Sequence, residues 1–137
     1  MPLALLLVLG LLGLALLLHG RTRSPLLEPG DPDQTTLAEL AGAGSDLARI
    51  HQIEFFLLLP TRGAAEEVAA ELVPEGFRID ISAAEAAGEW LCRATRPMRP
   101  DLAELRRLRQ RFGELARVRL GAYDGWGTEV VETGDPG

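Results

Sequence analysis

The sequence predicts an α+β domain, a four-stranded antiparallel sheet with two helices on one face, preceded by a transmembrane helix. Three observations carry that expectation. Residues 3–18 are an unbroken run of Leu, Ala, Val and Gly. Beyond a Pro-rich stretch, short strand-like runs and helical patterns follow in the order strand, helix, strand, strand, helix, strand. About a hundred residues hold those six elements, which suits one compact domain and is too few for two.

The N-terminal run comes first. Residues 1–20 contain no acidic or basic side chain apart from His19. A helix of about eighteen such residues spans about 27 Å, close to the ~30 Å of a bilayer core. It is longer than the roughly 7–15 apolar residues of a signal peptide, and no small-x-small cleavage site follows it. Arg21 and Arg23 stand directly after it, which by the positive-inside tendency leaves the rest of the chain in the cytoplasm. Residues 1–20 are therefore expected to be an uncleaved anchor. Pro25, Pro29, Gly30 and Pro32 mark 21–34 as a linker, 35–132 as the folded domain and 133–137 as a tail.

Within the domain, Thr35 or Thr36 is expected to cap a short helix through Leu37, Leu40 and Ala41, ending near Gly42 and Gly44. His51 to Leu59 is strongly apolar and stops at Pro60, the pattern of a strand buried on at least one face. From Arg62 to Leu72, Ala65, Val68, Ala69 and Leu72 fall at helical spacing, with Glu66, Glu67 and Glu71 turned outward. Phe77, Ile79 and Ile81 then alternate with Arg78, Asp80 and Ser82 as a half-buried strand. A further strand, Glu89 to Thr95, sets Trp90, Cys92 and Ala94 on one face. Asp101 opens the clearest helix, with Glu104 at the capping-box position and Leu102, Leu105, Leu108, Phe112 and Leu115 as its stripe. A last strand is expected from Arg117 through the bend at Asp124-Gly125 to Val131. This order is the split βαβ arrangement of a ferredoxin-like sandwich (βαββαβ).

Composition narrows the function. Residues 24–137 hold 12 arginines against 20 acidic residues, a net charge of −8. Phosphate binding needs clustered positive charge, so direct nucleic-acid binding is not expected. An acidic surface instead suits a basic protein partner. Cys92 is the only cysteine, so no intrachain disulfide can form. One cysteine and two histidines do not supply a tetrahedral metal site, and no cofactor is expected. His51 and Cys92 are the only base-and-nucleophile pair on offer. Cys92 reads more simply as a small buried apolar residue between Trp90 and Ala94, so no catalytic residue is assigned.

The face of the sheet away from the helices is expected to show Glu54, Phe56, Leu58, Arg78, Asp80, Leu91, Arg93 and Tyr123. That mixture of aromatic and charged groups lacks the Gly-Phe signature of RNA-recognition modules. It suits a protein contact. Arg106, Arg107, Arg109 and Arg111 read as a solvated helix face with Glu104 and Glu114, or as a contact for anionic lipid heads. Glu66, Glu67 and Glu71 read as a solvated face, or as groups that meet an arginine-rich partner. In Tyr123-Asp124-Gly125-Trp126-Gly127-Thr128-Glu129 two glycines flank a tryptophan, which reads as a kink aiming one aromatic. That ring serves either a binding surface or one end of the core.

Several blocks together resemble one family. Gly44-Ser45-Asp46-Leu47, His51-Gln52-Ile53-Glu54-Phe55-Phe56-Leu57, Gly76-Phe77, Trp90-Leu91-Cys92-Arg93-Ala94-Thr95 and Tyr123 to Glu129 stand in the order and spacing of the RraB family of ribonuclease E regulators. The resemblance spans about residues 36–131. It implies a ferredoxin-like fold, a non-enzymatic protein and a protein partner, ribonuclease E, whose handling of RNA is altered. The N-terminal anchor departs from the family pattern, and ribonuclease E is itself associated with the bacterial inner membrane. A single-pass inner-membrane protein with its domain in the cytoplasm is therefore expected, with Glu54, Phe56, Tyr123, Asp124 and Trp126 as the partner surface. The alternative, of another class, is a membrane-tethered ferredoxin-like sensor that binds a small molecule between strands or at a dimer interface.

Overall fold

A computed structural model describes residues 30–134. Among them are three helices, α1 (Pro32–Gly42), α2 (Arg62–Leu72) and α3 (Leu102–Arg117). Four strands, β1 (His51–Leu59), β2 (Arg78–Ala83), β3 (Trp90–Met98) and β4 (Ala122–Gly127), form one antiparallel sheet in the order β2-β3-β1-β4. Between β1 and β2, and between β3 and β4, the chain crosses through a helix, so the expected α+β architecture is present. Among the described residues no helix is long and apolar enough to cross a membrane. The expected anchor at 1–20 and most of the linker lie outside the described residues.

Helix α1 starts earlier than its sequence suggests. Asp31, not Thr35 or Thr36, is the cap: its carboxylate accepts from the N–H groups of Asp33 at 2.9 Å and Gln34 at 3.3 Å. Pro32 follows at the first helical position, where a missing N–H costs nothing and a fixed φ is already helical. The two threonine hydroxyls instead donate back to the carbonyls of Asp31 and Pro32. A proline taken as linker punctuation is thus a helix start. The hydrogen bond from Arg106 closes the cap on its other side. Desolvation works to raise the Asp31 pKa, but the Arg106 hydrogen bond and the Gln34 and Asp33 N–H groups outweigh it, leaving the carboxyl below its ordinary value.

All three helical segments end in the same left-handed turn. After α1, Gly44 has φ +100° and the Ser45 N–H reaches back to the Leu40 carbonyl at 3.2 Å. After α2 and a single 3₁₀ turn, Gly76 has φ +94° and the Phe77 N–H bonds the Leu72 carbonyl at 3.3 Å. After α3 the Gly121 N–H bonds the Ala116 carbonyl at 2.8 Å, and the residue with φ +63° is Leu120. This Schellman arrangement normally takes glycine at that position. The next residue, Gly121, is required sterically: a Cβ there would lie 2.2 Å from the Leu58 carbonyl oxygen. Residues 117–121 are therefore helix end and turn, and β4 begins at Ala122 rather than at Arg117.

The described residues group into two compact units, one of 30–52, 97–106 and 127–134, the other of 53–96 and 107–126. In the second unit Phe55, Phe77 and Phe112 form an aromatic core with centroid distances of 5.0–6.0 Å. Ala65, Val68, Leu72, Cys92, Ala94, Leu108 and Ala116 are fully buried around them. β1 alternates strictly, Phe55, Leu57 and Leu59 buried while Glu54, Phe56 and Leu58 are half-buried.

The first unit is held by a polar clamp. The Ser45 Oγ lies 2.6 Å from the His51 Nε2, and the His51 Nδ1 lies 2.9 Å from the Arg49 carbonyl oxygen. With Nδ1–H donating to that carbonyl, Nε2 accepts the Ser45 proton. Ser45 Oγ also accepts from the Val131 N–H at 2.9 Å, and the Thr128 hydroxyl donates to the Gln52 carbonyl at 2.8 Å. These bonds fasten the chain after β4 to the start of β1.

Candidate functional site

The helix-facing side of the second unit is filled by its own side chains. The Tyr123 ring lies 5.6 Å from Phe112 and has the Arg109 guanidinium 5.1 Å above it. Tyr123 thus packs on α3, on the side of the sheet opposite to the one expected. Arg62 covers Trp90 at 5.2 Å and Arg96 covers Phe77 at 4.4 Å in the same way. Alternation told which residues share a side of β4, and the packing of Phe112 set which side that is.

Trp126 is corrected likewise. It is 2% exposed, one of the largest fully buried side chains. Gly125, with φ +96°, supplies the expected kink, and the kink turns the indole inward. A residue with that burial offers no area to a partner.

Of the five candidate surface residues, Glu54 and Phe56 stay together on the open side of β1, with Leu58 following them. Asp124 is half-buried and, next to Tyr123 in the strand, projects to the side opposite it. On the neighbouring strands Asp80 and Arg93 face each other in register and pair at 2.5 Å. Leu91 is half-buried on the same side of β3. The surface is thus an incompletely covered apolar patch, Phe56, Leu58 and Leu91, bordered by a closed ion pair. Within it Glu54 is unusual: its Oε1 is buried and has no hydrogen-bond partner among the described residues. Buried polar atoms in native proteins nearly always find a partner.

The charged helix faces have partners of their own. Arg62 pairs with Glu66 at 3.2 Å, and Arg119 reaches both Glu67 at 3.0 Å and Glu71 at 3.1 Å. Arg111 binds Glu75, Arg117 binds Glu114, and Arg106 binds Asp31. The glutamates of α2 therefore meet arginines of this chain. A groove of about 420 Å³ lies along Glu71, Arg111, Glu114, Leu115, Val118 and Arg119, and its charged groups are engaged in those pairs.

His51 and Cys92 do not form a reactive pair. His51 is 1% exposed and both ring nitrogens are engaged. Burial pushes the Cys92 thiol up to about 11, so it is un-ionised at neutral pH. No group of three or more metal-ligating side chains occurs among the described residues.

Comparison with curated proteins found no match. A family model described as "Regulator of ribonuclease activity B" matches residues 31–128, from the Asp31 cap to the buried Thr128. The match takes in the whole sheet and all three helices, well over half the chain, and the chain therefore belongs to the RraB family of ribonuclease activity regulators.

Proposed function

We propose that this protein binds ribonuclease E through the open side of its sheet and restrains the nuclease's access to RNA, without chemistry of its own. The family match over residues 31–128 carries this reading. The contact would centre on Glu54, Phe56, Leu58 and Leu91, with Asp124 at its border. Tyr123 and Trp126 act behind it, as packing that holds β4 in place. The proposal includes a tether: the apolar run 3–18 followed by Arg21 and Arg23 would hold the domain at the cytoplasmic side of the inner membrane. Two proteins confined to one membrane meet at a raised effective concentration, so a modest interface would suffice.

Affinity purification of the full chain from detergent-solubilised cells tests this. Ribonuclease E is expected in the eluate, and the purified chain is expected to slow cleavage of an RNA substrate by purified ribonuclease E. Unchanged cleavage at saturating regulator, with no ribonuclease E recovered, would overturn the proposal. Fractionation tests the tether: the full chain is expected in the membrane pool, and a soluble chain would refute an anchor.

A further inference from the structure

Resting on that reading, we infer that Glu54 receives a cationic side chain, arginine or lysine, from the partner segment that covers Phe56 and Leu58. Glu54 lies on β1, which has β3 on one side and β4 on the other, so it stands inside the sheet and away from its edges. Its Oε1 is buried without a hydrogen-bond partner among the described residues. A carboxylate so placed has lost water on one oxygen and gained nothing in exchange.

Among the described residues no arginine donates to that oxygen. Arg93, on the adjacent strand, is held by Asp80 at 2.5 Å. Arg62, Arg111, Arg117 and Arg119 are held by glutamates of the helices and the turn after α2. The whole chain has a formal net charge of −6. The charge that Glu54 itself presents on this side is negative and flanked by the apolar Phe56 and Leu58. It fits a protein segment that presents one cation between apolar side chains. An RNA strand would instead bring phosphates against Glu54 and Asp80.

A pair formed there would be shielded from solvent, unlike one at a rim, so it would govern dissociation and specificity. It also gives an outcome that a structural role for Glu54 does not. Glu54→Gln keeps the shape and removes the charge. In the free chain it is expected to leave the melting temperature unchanged or raise it, because an uncompensated carboxylate disappears. Binding to purified ribonuclease E is expected to weaken by about tenfold or more, with a shallower dependence on salt. Glu54→Arg is expected to abolish binding, and one Arg→Glu or Lys→Glu change in the nuclease to restore it.

A fall in melting temperature for Glu54→Gln would overturn the inference, since the carboxylate would then be satisfied within the fold. Unchanged affinity for Glu54→Gln, with the unsubstituted chain still binding, would also overturn it while leaving the proposed function standing. Failure of the unsubstituted chain to bind would instead count against the proposed function itself.

Discussion

Leu120 offers a sharp test of the backbone argument. It occupies the left-handed position of a helix-terminating turn with φ +63°, where α1 and α2 use Gly44 and Gly76. Its side chain is 88% exposed, so it gains little from packing. A left-handed conformation costs an L-residue roughly 1–2 kcal/mol. Glycine escapes that cost, but its freer unfolded chain returns about 0.5–1 kcal/mol of it. Leu120→Gly should therefore stabilise the fold by roughly 0.5–1 kcal/mol, or about 2–8 °C in melting temperature for a domain near 100 residues. Thermal melting followed by circular dichroism reads this directly. Gly44→Ala is the reciprocal control: nothing lies within 4 Å of the added Cβ, so any loss comes from the backbone at φ +100°. A melting temperature for Leu120→Gly equal to or below the parent, beside a destabilised Gly44→Ala, would refute the reasoning. It would mean that Leu120 makes a stabilising contact in solution.

Three further outcomes follow from the packing. Trp126→Ala should cost about 3–5 kcal/mol, as for other large core truncations, and denaturant melts should show that loss whether or not a partner is present. Gly121→Ala places a Cβ 2.2 Å from the Leu58 carbonyl oxygen and should lower stability by about 1–3 kcal/mol or more, measured by the same melts. Cys92, fully buried and with its thiol raised from 9.0 to about 11, should resist maleimide at pH 8 until denaturant is added. Because the folded thiol holds its proton more tightly than the unfolded one, its contribution to stability is complete below pH 9 and declines as pH rises through 9–11. Cys92→Ser should flatten that part of the stability–pH curve, and rapid native labelling would contradict the burial.

Local chemistry made much of the fold legible. His51–Leu59 and Arg62–Leu72 form the strand and helix that periodicity and the Pro60 stop indicate. Asp101 caps α3 through the Glu104 N–H at 3.0 Å, as the spacing of that segment indicates. Where the reading missed, a local signal had two meanings. Pro32 serves a linker and a first helical position equally well, and only the Asp31 carboxylate bound to the Asp33 and Gln34 N–H groups decides between them. Residues 117–121 look strand-like because Val118 and Leu120 alternate with arginines, but the Gly121 N–H bonded to Ala116 makes them a helix terminus.

The candidate surface divides in the same way. Sequence alone determined the element order, the family blocks and the grouping of Glu54, Phe56 and Leu58, because those depend on period and composition along the chain. Only the tertiary structure decided that Tyr123 packs against Phe112, that Trp126 is core, and that each α2 glutamate meets an arginine of this chain. The physical reason is common to all three. Periodicity assigns residues to a side, whereas burial and ion pairing depend on what lies opposite that side, and the opposing groups come from distant parts of the chain. The same cause left Glu54 looking ordinary in the sequence, since a buried carboxylate oxygen with no hydrogen-bond partner among the described residues becomes visible only in the folded structure.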